Sequence, residues 1–458
     1  MRNCHPRLII AGTHSGAGKT SVVIALLAAL CGRNTPVYPF KIGPDYIDPA
    51  FHAHVVGVPS RNLDSWLLDA STLRGLFARN ACEDGVALIE GVMGLFDGKG
   101  ATHEGSTAHV AELLNAPVVL VLSALGLSRS AAAMVAGYAS FHPGVSVRGV
   151  IVNRVKSERQ YALIKQSIEG SLGIPCLGYL PEDASLVLRS RHLGLVPREE
   201  VPALDAIVKG LGNHAAKTID LDGLLALAGA APPLTEGLVP DLEVALPVRL
   251  GVARDEAFSF YYQDNFECLT RMGAEIVFFS PMRDAGLPEN IHGLYLGGGF
   301  PEVFASSLAG NISMREAVFA AAGRGMPIYA ECGGMAYVCA SLRDAQGREF
   351  PMAGVFPHRV AMTEKLHHFG YTDVTFLRHT ILGPAGMQIR AHEFHYSHIV
   401  DQQIDTCLRM HKDGAASWTG GLAMENVLAL YPHIHFYSNP AVARHFLGHC
   451  AAFKEATA

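Results

Sequence analysis

Short apolar runs alternate with helix-forming stretches through the first half of the chain. Leu8–Ala11 is the first run, and it enters a glycine-bearing turn that leaves as the helical pattern Ser21–Leu30, stopped at Cys31-Gly32. Further strands are predicted at Val37–Ile42, Val86–Ile89, Pro117–Leu122 and Gly149–Val152, with helices at Thr107–Leu114 and Ser130–Ser140 before the last two. Runs that are apolar on both faces, separated by helices, predict a mainly parallel sheet covered on both sides.

The pattern weakens between Leu221 and Pro247, where Ala, Gly, Pro and Leu dominate, and then restarts. Strands are predicted at Val248–Val252, Glu275–Phe279, Gly293–Leu296 and Pro327–Ala330, with helices around Asn265–Met272 and Met335–Leu342. Near the end, Tyr431–Phe436 reads as a strand carrying alternating histidines. The expected organisation is α/β in two domains, 1–228 and 248–458, joined by a linker over 229–247.

Composition narrows this picture. A chain of 458 residues, 49% hydrophobic and 17% charged, is long enough for well-buried domains. A net charge of −6 without a basic run argues against a nucleic-acid partner. Nine cysteines without a C-x-x-C pair suit a reducing compartment, so a cytoplasmic location is expected. The apolar stretch Ala116–Leu127 is too short to span a bilayer, so no membrane partner is expected.

The turn after the first run, Gly12-Thr13-His14-Ser15-Gly16-Ala17-Gly18-Lys19-Thr20, is the grammar of a phosphate-binding loop. Backbone N–H groups of such a loop surround a phosphate, Lys19 reaches its outer oxygens and Thr20 can hold Mg²⁺. At the end of the second strand, Asp45 and Asp48 stand three apart in a Pro-bounded stretch with Tyr46 and Ile47. They suit metal or substrate binding, and equally an ordinary turn. Glu90, at the end of a buried strand, is the better candidate for a second Mg²⁺ contact, and Asp97 the weaker one. Asn153 at another strand end suits reading an adenine edge or forming a turn. Ser190–Leu195 forms a compact basic patch, also readable as a solvated loop.

In the second half, Gly297-Gly298-Gly299 follows a strand, as an oxyanion hole or a flexible turn would require. Glu331-Cys332-Gly333-Gly334 has the layout of a nucleophile elbow, and Cys332 is the best nucleophile in the chain. His433 or His435 would supply the base, because alternation lets only one face Cys332. His392, His395 and His398 are rivals, but their spacing is not H-E-x-x-H and argues against zinc.

GTHSGAGKT, FKIGPDYIDP, EGVMGLFDG, GSTAHVAELL, SRHLGL, LGGGFPE, AECGGMAYV, HEFHYS and YPHIHF, in this order, together resemble the cobyrinate a,c-diamide synthase family. The resemblance implies a dethiobiotin-synthetase-like ATPase domain followed by a class I glutamine amidotransferase-like α/β domain. It implies Cys332 as nucleophile, His433 as base, and Gly298, Gly299 and Gly333 around the glutamine and its oxyanion. It further implies ATP on Gly12, Thr13, Gly16, Gly18, Lys19 and Thr20 with Asn153 at the base, and Mg²⁺ on Thr20, Asp48 and Glu90. Asp45, Tyr46, Ile47 and Asp48 would line the substrate and phosphate region. The implied partners are ATP, L-glutamine or ammonia, and a tetrapyrrole carboxylate, with amidation of two acetates of cobyrinate or hydrogenobyrinate through acyl phosphates. A homodimer is kept open as the assembly.

Gly12 and Gly18 have five residues between them where the common phosphate loop has four, which marks the dethiobiotin-synthetase-like variant. No acid stands two residues after His433, where His435 is found instead, so the group that orients His433 is not assigned from sequence. Ala330 replaces a frequent elbow glycine, and Ser123 and Leu125 stand where an acid and a polar or basic residue are expected. Two other readings stay open: the same chemistry on a sirohydrochlorin derivative or sirohaem, and a partner-binding nucleotide switch with an inactive amidotransferase-like domain.

Overall fold

The computed structural model describes residues 5–186, 188, 190–191, 194–195, 201–242, 247–401, 405–414 and 416–457. The chain divides into two compact units, 1–239 and 240–458.

The first unit is built on β1 (Arg7–Gly12), β2 (Val37–Ile42), β3 (Arg61–Leu63), β4 (Val86–Glu90), β5 (Val118–Ser123), β6 (Val147–Val155) and β7 (Cys176–Pro181), in the spatial order β3-β2-β4-β1-β5-β6-β7. All pairs are parallel. Every residue of β1, β4 and β5 is buried, as a sheet with both faces covered requires. The covering helices are α1 (Lys19–Gly32), α2 (Ile47–Val56), α3 (Ala70–Asn80), α4 (Thr107–Leu113), α5 (Ser130–Ser140), α6 (Glu158–Leu172), α7 (Leu204–Thr218) and α8 (Leu221–Gly229). Helix α1 is apolar nearly all round because it lies in the core and also packs on α7. Side chains of Asp69, Ser106 and Ser157 cap α3, α4 and α6.

The expected strands and helices are present, with ends shifted by a few residues. The Pro-bounded stretch is a helix start instead of a plain turn: Asp45 Oδ1 accepts from the N–H of Ile47 and Asp48 at 2.9 and 3.0 Å, and Pro49 sits in the first turn of α2, where a missing N–H costs nothing. The basic patch falls partly outside the described residues, which omit His192 and Leu193; the short strands β8 (Ser190–Arg191) and β9 (Gly194–Leu195) flank that gap.

The second unit begins as a parallel sheet of β11 (Ala274–Phe279), β10 (Val248–Ala253), β12 (Gly293–Leu296), β13 (Ile328–Glu331) and β20 (Val427–Leu430), in that order. Helices α9 (Gln263–Arg271), α10 (Ala305–Gly310), α11 (Ile312–Gly323) and α13 (Ala441–Thr457) accompany it. The sheet continues through β19 (Trp418–Ala423), β18 (Thr406–His411) and the 21-residue β16 (Phe356–Phe376) to β14 (Cys339–Arg343) and β15 (Glu349–Pro351). On a branch, β17 (Gln388–Ile399) pairs with β16 and with β21 (His433–Ile434).

The expected helix Met335–Leu342 is corrected here. Helix α12 covers only Gly333–Val338, and Cys339–Arg343 is β14. The Cys339-Ala340-Ser341-Leu342 run is as compatible with a strand as with a helix, and pairing with β16 decides it. Among the described residues, no helix is long and apolar enough to cross a membrane.

Candidate active sites

In the first unit the loop after β1 ends at the N-terminus of α1. Gly16 and Gly18 have φ of +85° and +92°, a region that favours glycine. A Cβ on Gly18 would also lie 1.9 Å from Asn153 Nδ2, so the loop and Asn153 are packed tightly. Asn153 Nδ2 donates to Ala17 O at 3.1 Å. Asn153 also lines a cavity of about 330 Å³ with Ser21, Leu180, Pro181, Leu211 and His214. Thr13 is buried, and Gly12 lies against the Lys19 side chain.

Lys19 Nζ donates to Met93 O at 2.5 Å, and burial together with the nearby Lys41 lowers its pKa to about 8. Thr20 Oγ1 donates to Glu90 Oε1 at 2.6 Å and lies 3.3 Å from Asp48 Oδ2. The residues named from sequence therefore converge: Thr20, Asp48 and Glu90 form one group of hard oxygen donors, with Asp45 beside it. Ile47 is buried at the start of α2, and Tyr46 precedes it at the cap. Asp97 faces a different task, since its Oδ2 accepts from Gly94 N at 2.8 Å.

Three residues at this site escaped the sequence reading. Lys41 Nζ lies 2.5 Å from Asp48, 3.0 Å from Glu90 and 3.7 Å from Asp45. The three carboxylates overcome the cost of burial and hold the Lys41 ammonium well above its usual range. His52 Nε2 lies 2.7 Å from Glu90 Oε2 while its Nδ1 meets Ser60 Oγ at 3.1 Å. Against burial, Lys41 and His52 hold Glu90 below the usual carboxylate range, whereas burial with Asp45 and Glu90 close by pushes Asp48 up. Asn62 Nδ2 donates to Gly43 O and Asp45 O at 2.8 and 2.7 Å, bracing the loop. The signal for Lys41 was its place at the end of β2 among acids; nothing local marked His52 or Asn62.

In the second unit Cys332 has φ +48° and ψ −99°, between the end of β13 and α12. A non-glycine residue held there is strained, as at a nucleophile elbow. Small neighbours make the turn fit: a Cβ on Gly334 would lie 2.1 Å from Leu296 O, and one on Gly333 would lie 3.1 Å from Gly299 N. Gly333 opens α12, so its N–H has no acceptor within the helix, and the Gly299 N–H is beside it. Gly298 leaves room for His433, because a Cβ there would lie 2.5 Å from His433 Cε1.

Of the two C-terminal histidines, His433 faces Cys332, and His435 points to Asp264 at 3.8 Å. An acid does approach His433: Glu331, the residue before the cysteine, places its Oε2 3.6 Å from His433 Nδ1. Glu331 is itself fixed by the hydroxyls of Tyr295 and Tyr329 and by Ile434 N–H at 3.2 Å. Burial would lower the His433 pKa, but Cys332 and Glu331 raise it to about 10. Asn265 clamps the segment, donating to Ile434 O at 2.8 Å and accepting from Phe436 N at 2.7 Å. His392 is buried and pairs across β17 with His433; burial and that neighbour push its pKa down to about 3.

Three buried cysteines are different in kind. All eight described cysteines are free thiols, and burial pushes Cys176, Cys339 and Cys407 up to about 12, which disfavours their thiolate form.

The fold and these arrangements define a class: a phosphate-loop nucleotide-binding unit joined in one chain to a glutamine amidotransferase unit. The family described as the CobQ/CobB/MinD/ParA nucleotide binding domain matches residues 8–195, and the CobB/CobQ-like glutamine amidotransferase domain matches residues 249–441. The chain is 42% identical to a cobyrinate a,c-diamide synthase of Caldanaerobacter subterraneus subsp. tengcongensis, over 97% of this chain and 98% of that one. It is 43% identical to one from Listeria innocua, over 96% and 99%, and 41% identical to one from Limosilactobacillus reuteri, over 97% and 99%. The chain belongs to the cobyrinate a,c-diamide synthase family and is a glutamine-hydrolysing carbon–nitrogen ligase.

Proposed function

We propose that this chain amidates the a- and c-acetate carboxylates of cobyrinate or hydrogenobyrinate, using ATP and ammonia drawn from glutamine. The observation that carries this reading is the presence in one chain of the Cys332–His433–Glu331 arrangement and of a phosphate loop facing the Thr20–Asp48–Glu90 group. Relatives across nearly the full length carry the corresponding name.

A carboxylate is a poor electrophile until its oxygen is esterified with phosphate, and ammonia is mostly protonated at neutral pH. One unit would supply the activated acid and the other would supply ammonia. In the glutaminase step the Cys332 thiolate attacks the glutamine amide carbon, and the oxyanion accepts from the N–H groups of Gly299 and Gly333. His433, charged at neutral pH because its pKa is raised, gives its proton to the leaving nitrogen, which departs as ammonia. The neutral imidazole then takes a proton from water, whose oxygen displaces the thiolate and releases glutamate. Glu331 keeps the ring in register throughout.

In the synthetase step a substrate carboxylate oxygen attacks the ATP γ-phosphorus in line, and ADP leaves. Lys19 faces the outer phosphate oxygens, Asn153 and its cavity take the base, and Asp45, Tyr46 and Ile47 line the acceptor side. Thr20, Asp48 and Glu90 offer oxygen donors of the type Mg²⁺ prefers, and they would hold it. When bound, Mg²⁺ supplies charge neutralisation at the phosphates. Ammonia attacks the acyl phosphate carbon, and phosphate leaves to give the amide.

The test is an assay of purified protein with several tetrapyrrole acids, glutamine and ATP, read by mass spectrometry. Cobyrinate or hydrogenobyrinate should lose about one dalton per carboxylate amidated and stop after two, with ATP turnover dependent on the acid. ATP turnover indifferent to every tetrapyrrole acid would overturn the reading, and amidation of a sirohydrochlorin-type acid alone would replace the substrate.

A further inference from the structure

His103, Glu112 and His142 take no part in the chemistry above. Among the described residues they are the only group of three or more His, Cys, Asp or Glu whose ligand atoms gather in one place, all within 4.8 Å of one another. His103 Nε2 lies 2.5 Å from Glu112 Oε2, and His142 Nδ1 lies 3.1 Å from Glu112 Oε1. The two imidazoles stack with centroids 4.6 Å apart and planes 4° from parallel.

His142 Nδ1 also receives the Gly144 N–H at 3.3 Å, which makes that nitrogen an acceptor. An acceptor nitrogen 3.1 Å from a carboxylate oxygen calls for a cation between them. A further imidazole stands close by: the His109 ring is 5.2 Å from that of His103, and its Nδ1 is buried without a hydrogen-bond partner.

The backbone is shaped to bring these groups together. A Cβ on Gly144 would lie 1.8 Å from Glu112 Oε1, so glycine leaves space for the carboxylate. A Cβ on Gly98 would lie 2.6 Å from the carbonyl oxygens of Thr102 and Glu104, and glycine there lets the loop close through the Lys99 N to Glu104 O bond at 2.8 Å. That closed loop presents His103 to Glu112 on α4, and the turn after α5 presents His142. Side chains exposed by 31%, 28% and 36% leave room for water at remaining coordination positions.

We propose that His103, Glu112 and His142, with His109 alongside, bind one divalent transition cation of the zinc, cobalt or nickel class. Two imidazole nitrogens and one carboxylate suit these ions, whereas Mg²⁺ and Ca²⁺ prefer oxygen donors throughout. Three protein ligands and an open position make the site distinct from the oxygen-donor group at Thr20. Bound there, the cation ties the 98–106 loop, which follows Asp97, to α4 and to the turn after α5.

The test is titration of the full-length protein, freed of nucleotide and Mg²⁺, with Co²⁺ near neutral pH. Bound metal is measured by equilibrium dialysis and its ligands by visible absorption. One saturable Co²⁺ with nitrogen and oxygen ligation is expected, displaced by Zn²⁺ and unaffected by excess Mg²⁺. Glu112→Gln, and His103→Ala combined with His142→Ala, should each weaken binding at least tenfold. In wild-type protein, Co²⁺ should also protect His103 and His142 from acylation by diethyl pyrocarbonate, a readout independent of whether the variants fold. Absorption from thiolate ligation, displacement by Mg²⁺, undiminished binding by folded variants, or absence of protection would overturn the proposal.

Discussion

Replacing Glu331 with Gln removes one negative charge beside His433 and keeps one oxygen that can still accept from Tyr329 and Ile434 N–H, while the amide nitrogen in place of Oε2 no longer accepts from Tyr295. At the observed 3.6 Å, a carboxylate and an imidazolium attract each other by about 4–5 kcal/mol at an effective dielectric constant of about 20. Glu331 shares with Cys332 the rise of His433 to about 10. Losing Glu331 should therefore lower that pKa, and ring orientation is lost with it. The sign follows directly. A raised pKa keeps the imidazolium populated to high pH, so lowering it moves the alkaline limb of glutaminase activity to lower pH. The assay is glutamate release against pH, alongside ammonia-dependent amidation and circular dichroism. Glutaminase kcat/KM should fall on the order of 10²–10⁴-fold, as for other triads whose third member is neutralised, with ammonia-dependent synthesis unchanged. An unshifted alkaline limb together with near-normal glutamate release would refute the role given to Glu331.

Gly298→Ala puts a methyl 2.5 Å from His433 Cε1 and should cost glutaminase activity at least tenfold while sparing ammonia-dependent synthesis; equal loss with both nitrogen sources would contradict it. Gly18→Ala meets both a φ of +92° and Asn153 at 1.9 Å, so the KM for ATP should rise at least tenfold, measured by ATP turnover. Lys41→Met leaves Asp48 and Glu90 buried without their cation and should destabilise the protein by about 3–5 kcal/mol at pH 7 in urea unfolding. Glu90 has a folded pKa below its unfolded value, so its contribution is present above the unfolded pKa and is lost as pH falls through the folded one. The deficit of Lys41→Met should accordingly narrow toward acid pH; a deficit independent of pH would show that charge is not its cause.

Much of the architecture was legible because apolar runs such as Val37–Ile42 and Val86–Ile89 are buried on both faces and carry a strong local signal. The phosphate loop and the Cys332 turn were legible for a related reason: glycines and strand ends sit at fixed offsets from the reactive side chains. What escaped depends on contacts distant in the chain. Glu331 and His433 are 102 positions apart, and only the parallel pairing of β13 with β20 brings the following histidine alongside. His52 reaches Glu90 from a helix whose sequence, read alone, looks like a turn followed by mixed polarity. The residues after α12 were misread because a short apolar run fits helix and strand alike until a partner strand is known. The long β16–β17 ribbon was not anticipated, since its polar and histidine-rich positions give a strand little burial to announce it.

The central claim is that ammonia made at Cys332 serves amide formation in the phosphate-loop unit. Its most direct test is amide formation by Cys332→Ala with ATP and the tetrapyrrole acid, comparing glutamine with ammonium as nitrogen source at alkaline pH. The account predicts that glutamine no longer supports the reaction while ammonium supports it at close to the wild-type rate. Loss of both to the same extent, or retention of glutamine use, would contradict it.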